Sequence, residues 1–267
     1  MIGFIVPITP KKYSKDWRLA NLMLERTVRS ICNQTSRDFK LLIVYNDKPE
    51  IEFIDDNIHY ISYPCPEIKI SQIEDFDYMS QWFTVTFAER MMDKSRKITL
   101  GSKVAKELGC NYLMAIDSDD MISNKIAQYV NENISSNLPG WRISSGYLYK
   151  EGSPLIEKNC QIWAMNGSTH IIRTDLVNIP QFEKDFKLLS YNLFQQHAYT
   201  YQRLIDFHNE KLSNFPYPGT VYLIHDLNYS EISKILSANK IKRFIKLLWK
   251  GRWLSKKIKD EFGIYPI

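Results

Sequence analysis

The sequence predicts an α/β protein: a mostly parallel sheet flanked by helices, followed by a basic C-terminal tail. Three observations carry this expectation. The strand-length apolar runs Gly3–Val6, Phe39–Tyr45 and Tyr112–Ile116 are continuous, not alternating, as strands buried on both faces are. Segments of helical period separate them. Each run stops abruptly at turn or acidic residues, at Pro7, at Asn46-Asp47-Lys48-Pro49 and at Asp117-Ser118-Asp119-Asp120.

In order along the chain, Gly3–Val6 reads as the first strand. Leu22–Cys32 follows as a helix, with apolar residues at 22, 24, 28, 31 and 32. Phe39–Tyr45 is the second strand. Ile58–Tyr63 is a third, ended by Pro64 and Pro66. Residues 64–97 form a long connection rich in acids and aromatics, within which Phe76–Met92 has helical character. Ile98–Leu108 is a further helix closed by Gly109, and Tyr112–Ile116 is a buried strand. The second half is less regular. Trp141–Tyr149, Gln161–Met165 and His170–Arg173 read as short strands, Ser190–Asn209 as a helix and Val221–His225 as a strand.

Composition places bounds on function. The chain has 267 residues, 44% hydrophobic and 24% charged, which is ordinary globular material. Its 35 basic and 30 acidic residues give a formal charge of +5. Residues 232–259 hold ten Lys and Arg and no acid, so the remainder carries −5. That division excludes a uniformly basic nucleic-acid binder, and no nucleic-acid partner is expected. The expected organisation is one domain over residues 1–230, with halves 1–125 and 126–230, and a basic amphipathic tail over 231–267.

Four cysteines, at 32, 65, 110 and 160, form no CxxC pair and read as reduced, buried thiols. No run reaches the roughly 18 apolar residues that span a bilayer. The start is too short and uncharged for a signal peptide. A cytoplasmic protein is the expectation.

The chemistry concentrates at Asp117-Ser118-Asp119-Asp120. In open α/β sheets, ligands bind beyond the carboxyl ends of the strands. Three carboxylates in four residues repel one another unless a cation is present. Mg²⁺ or Mn²⁺, held by one or two carboxylates and substrate phosphates, suits such a site. The alternative is a solvated turn in which Asp120 or Ser123 caps the next helix.

The strand ending in Pro7-Ile8-Thr9, the segment LERTVRSICNQTSRDFKLLIVYND (residues 24–47) and the run RKITLGSKVAKELGCNYLMAIDSDD (residues 96–120) stand in a fixed order. Together they resemble family 2-like glycosyltransferases of the GT-A fold. The resemblance covers roughly residues 1–125, is weak over 126–230 and is absent from the tail. It implies a Rossmann-like GT-A sheet and a nucleotide-sugar donor. Thr9, Asn46 and Asp47 would line the nucleobase and ribose pocket, with Asn46 replacing the first of the family's two acids. Arg96 and Lys97 would meet the base or diphosphate. Asp117 would contact the ribose, while Asp119, Asp120 and a late histidine, His225, would hold the metal. Neutral imidazole suits Mn²⁺, although a structural histidine is equally compatible.

The family's Glu-Asp base motif is absent. Gln196 and His197 stand at those positions, seven residues before Arg203-Leu204. His197 is an acceptable general base near neutral pH. Asp185, with Glu183, is the reserve. Trp163, Asn166 and Gly167 fall where the family faces its acceptor.

In Ile241–Trp253, apolar residues recur at roughly helical spacing beside Lys and Arg, with Trp249 and Trp253 one turn apart. Such a helix suits an anionic membrane surface, and a helix packed on the domain is the alternative. The expected activity is a metal-dependent, inverting glycosyltransferase in surface polysaccharide synthesis. It would use Mn²⁺ or Mg²⁺ and a glycan or lipid-linked acceptor, with a peripheral place on the inner face of the membrane. A non-catalytic nucleotide-sugar-binding scaffold is the alternative. A sugar nucleotidyltransferase is disfavoured because Pro7-Ile8-Thr9-Pro10-Lys11-Lys12 contains no glycine.

Overall fold

A computed structural model describes residues 1–64, 69, 71, 85–177, 179, 193–194, 197–225 and 251–267. Its first layer begins with strand β1 (Ile2–Pro7), helix α1 (Trp17–Cys32), β2 (Phe39–Tyr45) and β3 (Ile58–Ser62). Helix α2 (Val85–Glu107) leads to β4 (Tyr112–Ala115). The chain then runs through β5 (Met121–Ile122), α3 (Ile126–Glu132), β6 (Gly140–Arg142), β7 (Gly146–Lys150), β8 (Leu155–Asn159) and β9 (His170–Arg173). Helix α4 (His197–His208), β10 (Ser213–Asn214), β11 (Thr220–Ile224), β12 (Gly251–Trp253) and α5 (Lys256–Phe262) complete it.

Among the described residues, one sheet has the order β10-β6-β9-β4-β1-β2-β3. Every neighbouring pair is parallel except those that β9 makes with β4 and β6. The α/β class with a mostly parallel sheet is therefore as expected. The continuous apolar runs have a direct cause. Phe4, Leu41 and Ile43 pack with Leu24, Val28 and Ile31 of α1, whereas Ile5, Leu42 and Val44 pack with Ile98 and Ala105 of α2. Both pleat faces are covered, so neither tolerates polar residues. Helix α2 lies very close: a β-carbon on Gly101 would come within 2.5 Å of Ile5 Cγ2. Asp16 caps α1 by accepting from Leu19 N at 2.9 Å.

A second sheet, β12-β8-β7-β11-β5, starts directly after the acidic loop. Phe262 and Ile264 pack under it with Met23, Tyr147, Ile156 and Leu223. Residues 251–267 thus belong to the body of the domain and are not a detached tail. Glu261 accepts from Ser123 Oγ at 2.7 Å and pairs with Lys125 Nζ at 2.9 Å, while Asn33 Nδ2 donates to Asp260 O at 2.8 Å.

Several local expectations are corrected. Trp141–Tyr149 is not one strand. The segment breaks at Ile143–Ser145, and its halves, β6 and β7, join different sheets. Gln161–Met165 is a 3-10 turn at Ile162–Ala164. Met92 and Ile98 share one helix, because α2 runs without a break from 85 to 107. Gly251–Trp253 is a strand paired antiparallel with β8, so the helix expected over Ile241–Trp253 does not include its last three residues. Residues 241–250 lie outside the described residues. Cys160 is exposed, whereas Cys32 and Cys110 are buried. No helix among the described residues is long and apolar enough to cross a membrane.

Candidate functional site

Strands β1, β2 and β4 run parallel, so Ile8–Thr9, Asn46–Asp47 and Asp117–Asp120 emerge at one sheet edge. Chain connections diverge from β1 there: β2 and β3 lie to one side, β4 to the other. That is the switch point at which open α/β sheets leave a crevice for ligands.

The acidic loop is tightly held. Ser168 uses one hydroxyl twice: it accepts from Asp117 N at 2.9 Å and donates to Asp120 Oδ2 at 2.6 Å. Asn166 accepts from Ser168 N at 2.5 Å and donates to Thr220 Oγ1 at 3.2 Å, linking the loop to β11. A β-carbon on Gly167 would stand 2.8 Å from Asp117 Oδ2, so a side chain there would push that carboxylate aside. Asn166 is fully buried, so it secures the acidic loop and does not face an acceptor, as had been expected of it.

Charge around the loop is uneven. Lys94 of α2 pairs with Asp117 Oδ1. Burial pulls the Lys94 ammonium down, but Asp117, followed by Asp120 and Asp119, more than reverses this and raises its pKa. Asp120 is 1% exposed, and its Oδ1 has no hydrogen-bond partner. Burial first, then Asp119 and Asp117, push its pKa well above the usual carboxylate value. Its carboxyl is held by Ser168 and is out of contact with solvent.

His225, just beyond β11, places Nε2 2.8 Å from Asp119 Oδ2. Antiparallel pairing of β11 with β5, Val221 opposite Met121, carries the strand end back over the acidic loop. Among the described residues, no three His, Cys, Asp or Glu side chains are grouped to hold a metal ion. The Asp119–His225 pair still fits a cation that draws its other ligands from phosphate and water, because it joins a carboxylate to an imidazole. Asp120 fits poorly as a ligand, since one oxygen is bonded to Ser168 and the group is buried.

The other expected residues fall as follows. Thr9 and Asp47 are exposed at the sheet edge. Asp47 Oδ2 accepts from Lys11 N at 2.8 Å and so fastens the loop after β1 over the end of β2. The Asn46 side-chain Oδ1 is buried without a hydrogen-bond partner. Lys97 is corrected: it is fully buried, and its ammonium donates to Ile8 O at 2.6 Å and Asp93 Oδ2 at 2.7 Å, so it braces β1 and does not reach a diphosphate. Arg96 lies 6.0 Å from the Tyr63 ring centroid. His197 opens α4. Glu183, Asp185 and Gln196 lie outside the described residues.

Lys94 and Ser168 were missed. Lys94 stands three residues before Lys97 on the same helix face, a spacing that became meaningful only with α2 extended back to residue 85. Nothing in the sequence signalled Ser168.

No family model matches the chain, and no curated protein does. Among solved structures, it is similar to S. aureus TarS at 13% identity and a TM-score of 0.43, covering 92% of this chain and 41% of that one. A TarS 1–349 structure in complex with UDP-GlcNAc aligns at 14% identity and a TM-score of 0.43, over 85% of this chain and 60% of that one. The 4-diphosphocytidyl-2C-methyl-D-erythritolsynthase of Anaerococcus prevotii aligns at 10% identity and a TM-score of 0.36, over 89% of this chain and 94% of that one. The chain thus spans less than two thirds of the length of the first two.

Proposed function

We propose that the chain is a glycosyltransferase that draws its sugar from a nucleoside-diphosphate sugar held at the carboxyl ends of β1, β2 and β4. The observation that carries this reading is the meeting of His225 with Asp119 at the switch point of the sheet. A carboxylate and an imidazole brought together beside Asp117 and Lys94 suit a cation–diphosphate ligand better than a bare anion, which the carboxylates would repel.

Thr9, Asn46 and Asp47 line the nucleoside end. The unpartnered Asn46 oxygen accepts from a base N–H or ribose hydroxyl there, which relieves its buried, unmet hydrogen bond. Asp117, oriented by Lys94, accepts from a ribose hydroxyl. Asp119 and His225 would hold Mn²⁺ or Mg²⁺, which offsets negative charge on the departing nucleoside diphosphate. The acceptor hydroxyl oxygen bonds to the anomeric carbon as the bond from that carbon to the diphosphate oxygen breaks. The hydroxyl proton passes to a base, for which His197 is the first choice and Asp185 the second. Direct displacement of this kind inverts the anomeric centre. A glycan or lipid-linked acceptor completes the reading.

Residues 232–259 are read as a contact with an anionic membrane surface. Within the described part of that stretch, Trp253 is 75% exposed beside Arg252.

A thermal-shift screen of UDP, GDP, dTDP and CMP sugars, with and without Mn²⁺, tests the function. A cation-dependent rise for one nucleotide family, followed by turnover that Asp119→Ala abolishes, is the expected result. No rise with any of them, or unchanged turnover in Asp119→Ala, counts against it.

A further inference from the structure

Arg142, the last residue of β6, has an unusual setting. Its guanidinium carbon lies 5.1 Å from the Trp163 ring centroid and 4.6 Å from that of Tyr201. Trp163 comes from the 3-10 turn Ile162–Ala164 and Tyr201 from α4, so three separate elements converge on one cation. The Nε atom is buried and has no hydrogen-bond partner. By contrast, Arg26, Arg29, Arg37 and Arg173 each hold a carboxylate. Among the described residues, no acid forms a salt bridge with Arg142.

A partly desolvated guanidinium without a counter-charge is costly unless a ligand supplies one. Two aromatic rings hold the guanidinium within cation–π range, and its terminal N–H groups suit a planar or tetrahedral anion, the geometry in which arginine outperforms lysine.

Position identifies which ligand. Strand β6 is parallel to β4, both being antiparallel to β9. Arg142 pairs with His170 and Met114 with Ile171, so Arg142 stands level with the end of β4. Two strand spacings, about 10 Å, separate it from that strand. It lies on the opposite side of the acidic loop from β1 and β2, which carry Thr9, Asn46 and Asp47. In the reaction proposed above, a donor laid from those residues towards Asp119 would direct its sugar, and the hydroxyl that attacks it, to the side of β4 on which β6 and Arg142 stand.

We infer that Arg142, held against Trp163 and Tyr201, is the subsite for a carboxylate or phosphate group on the acceptor sugar. That the anion belongs to an acceptor rests on the transfer reaction proposed above. The subsite itself is tested without turnover. Isothermal titration of the full chain with glucuronate, glucose 1-phosphate and glucose compares a carboxylate, a phosphate and a neutral ring. The expected result is at least about tenfold tighter binding of one or both anionic sugars than of glucose. The stronger of the two identifies the group. Arg142→Gln is expected to erase the preference, and Arg142→Lys, which keeps the charge but loses the fork, to retain only part of it. Melting temperatures establish that each variant is folded.

Equal or absent binding of all three sugars by the wild type overturns the assignment. So does an undiminished preference in Arg142→Gln. Displacement of the anionic sugar by UDP or GDP overturns it as well, because that places the anion in the diphosphate site. Failure of the wild type to bind any nucleotide sugar sinks the transferase reading and leaves the anion preference separately measurable.

Discussion

His225 Nε2 and Asp119 Oδ2 stand 2.8 Å apart although 106 residues separate them. Only the antiparallel return of β11 beside β5 makes them neighbours. If they act as one unit on a cation and its diphosphate, their losses are not additive. Asp119→Asn and His225→Ala are each expected to weaken Mn²⁺-dependent nucleotide-sugar binding by about 1–3 kcal/mol, with the double variant little worse than either. Titration calorimetry of the four proteins measures this. Fully additive losses would dissolve the unit.

Gly167→Ala places a β-carbon 2.8 Å from Asp117 Oδ2, closer than that oxygen can stay. Only the tip of that side chain stands in the way, so the carboxylate gives and the stability cost is expected to stay near or below about 1 kcal/mol, the low end for overpacking. Displacement of Asp117 also breaks its pairing with Lys94. Lower stability in urea unfolding together with weaker nucleotide binding is expected. A fully stable variant that binds normally would mean that the turn gives way without disturbing Asp117.

Phe262 is 1% exposed under the second sheet. Phe262→Ala is expected to cost about 3–5 kcal/mol, the usual loss for a buried phenylalanine. A detached tail predicts no change in unfolding midpoint, so denaturant titration separates the two cases. Removal of residues 251–267 is for the same reason a poor test of membrane binding. Charge reversal at Lys240, Lys242, Arg243 and Lys246 is the better one, with sedimentation on anionic vesicles as the readout.

Burial alone would raise the Asp55 pKa, but the hydrogen bond from Arg37 and the Asn57 N–H hold its carboxyl below the usual value. Its folded pKa is therefore lower than its unfolded one. The stability it contributes is complete above the unfolded value of about 3.9 and is lost as pH falls through the folded value. Arg37 is half-exposed, so that contribution is about 0.5–1 kcal/mol. In Asp55→Asn, the unfolding free energy should fall less steeply below pH 4 than in the wild type. Parallel curves for the two proteins would show that the pair contributes nothing.

Burial pushes the Cys32 thiol up to about 12 and the Cys110 thiol up to about 11, whereas Cys160 is exposed. Only thiolates alkylate readily. Iodoacetamide at pH 8 is expected to modify Cys160 well before Cys32 or Cys110, as followed by peptide mass spectrometry. Early modification of Cys32 would contradict its burial.

Much of the first half was legible in the chain. The Phe39–Tyr45 strand has the bounds its apolar run predicted. The acids at its end and after β4 share an edge because parallel strands must. Local pattern suffices there, since a strand covered on both faces has to be apolar throughout. The region after residue 125 was harder to read. Its strands are short, and β6 and β7 lie only three residues apart yet join different sheets. No periodicity distinguishes that arrangement from one continuous strand.

By itself, the sequence determined the fold class and the sheet edge at which Asp47 and Asp117–Asp120 come together. Tertiary structure alone decided which groups meet: Lys94 with Asp117, Ser168 with Asp120, His225 with Asp119, and Trp163 and Tyr201 about Arg142. It also joined residues 251–267 to the core, where composition suggested a separate basic tail. The reason is one of range. Burial pattern and turn chemistry act over a few residues, whereas a pair separated by 106 residues depends on which distant strands pair, here β11 with β5.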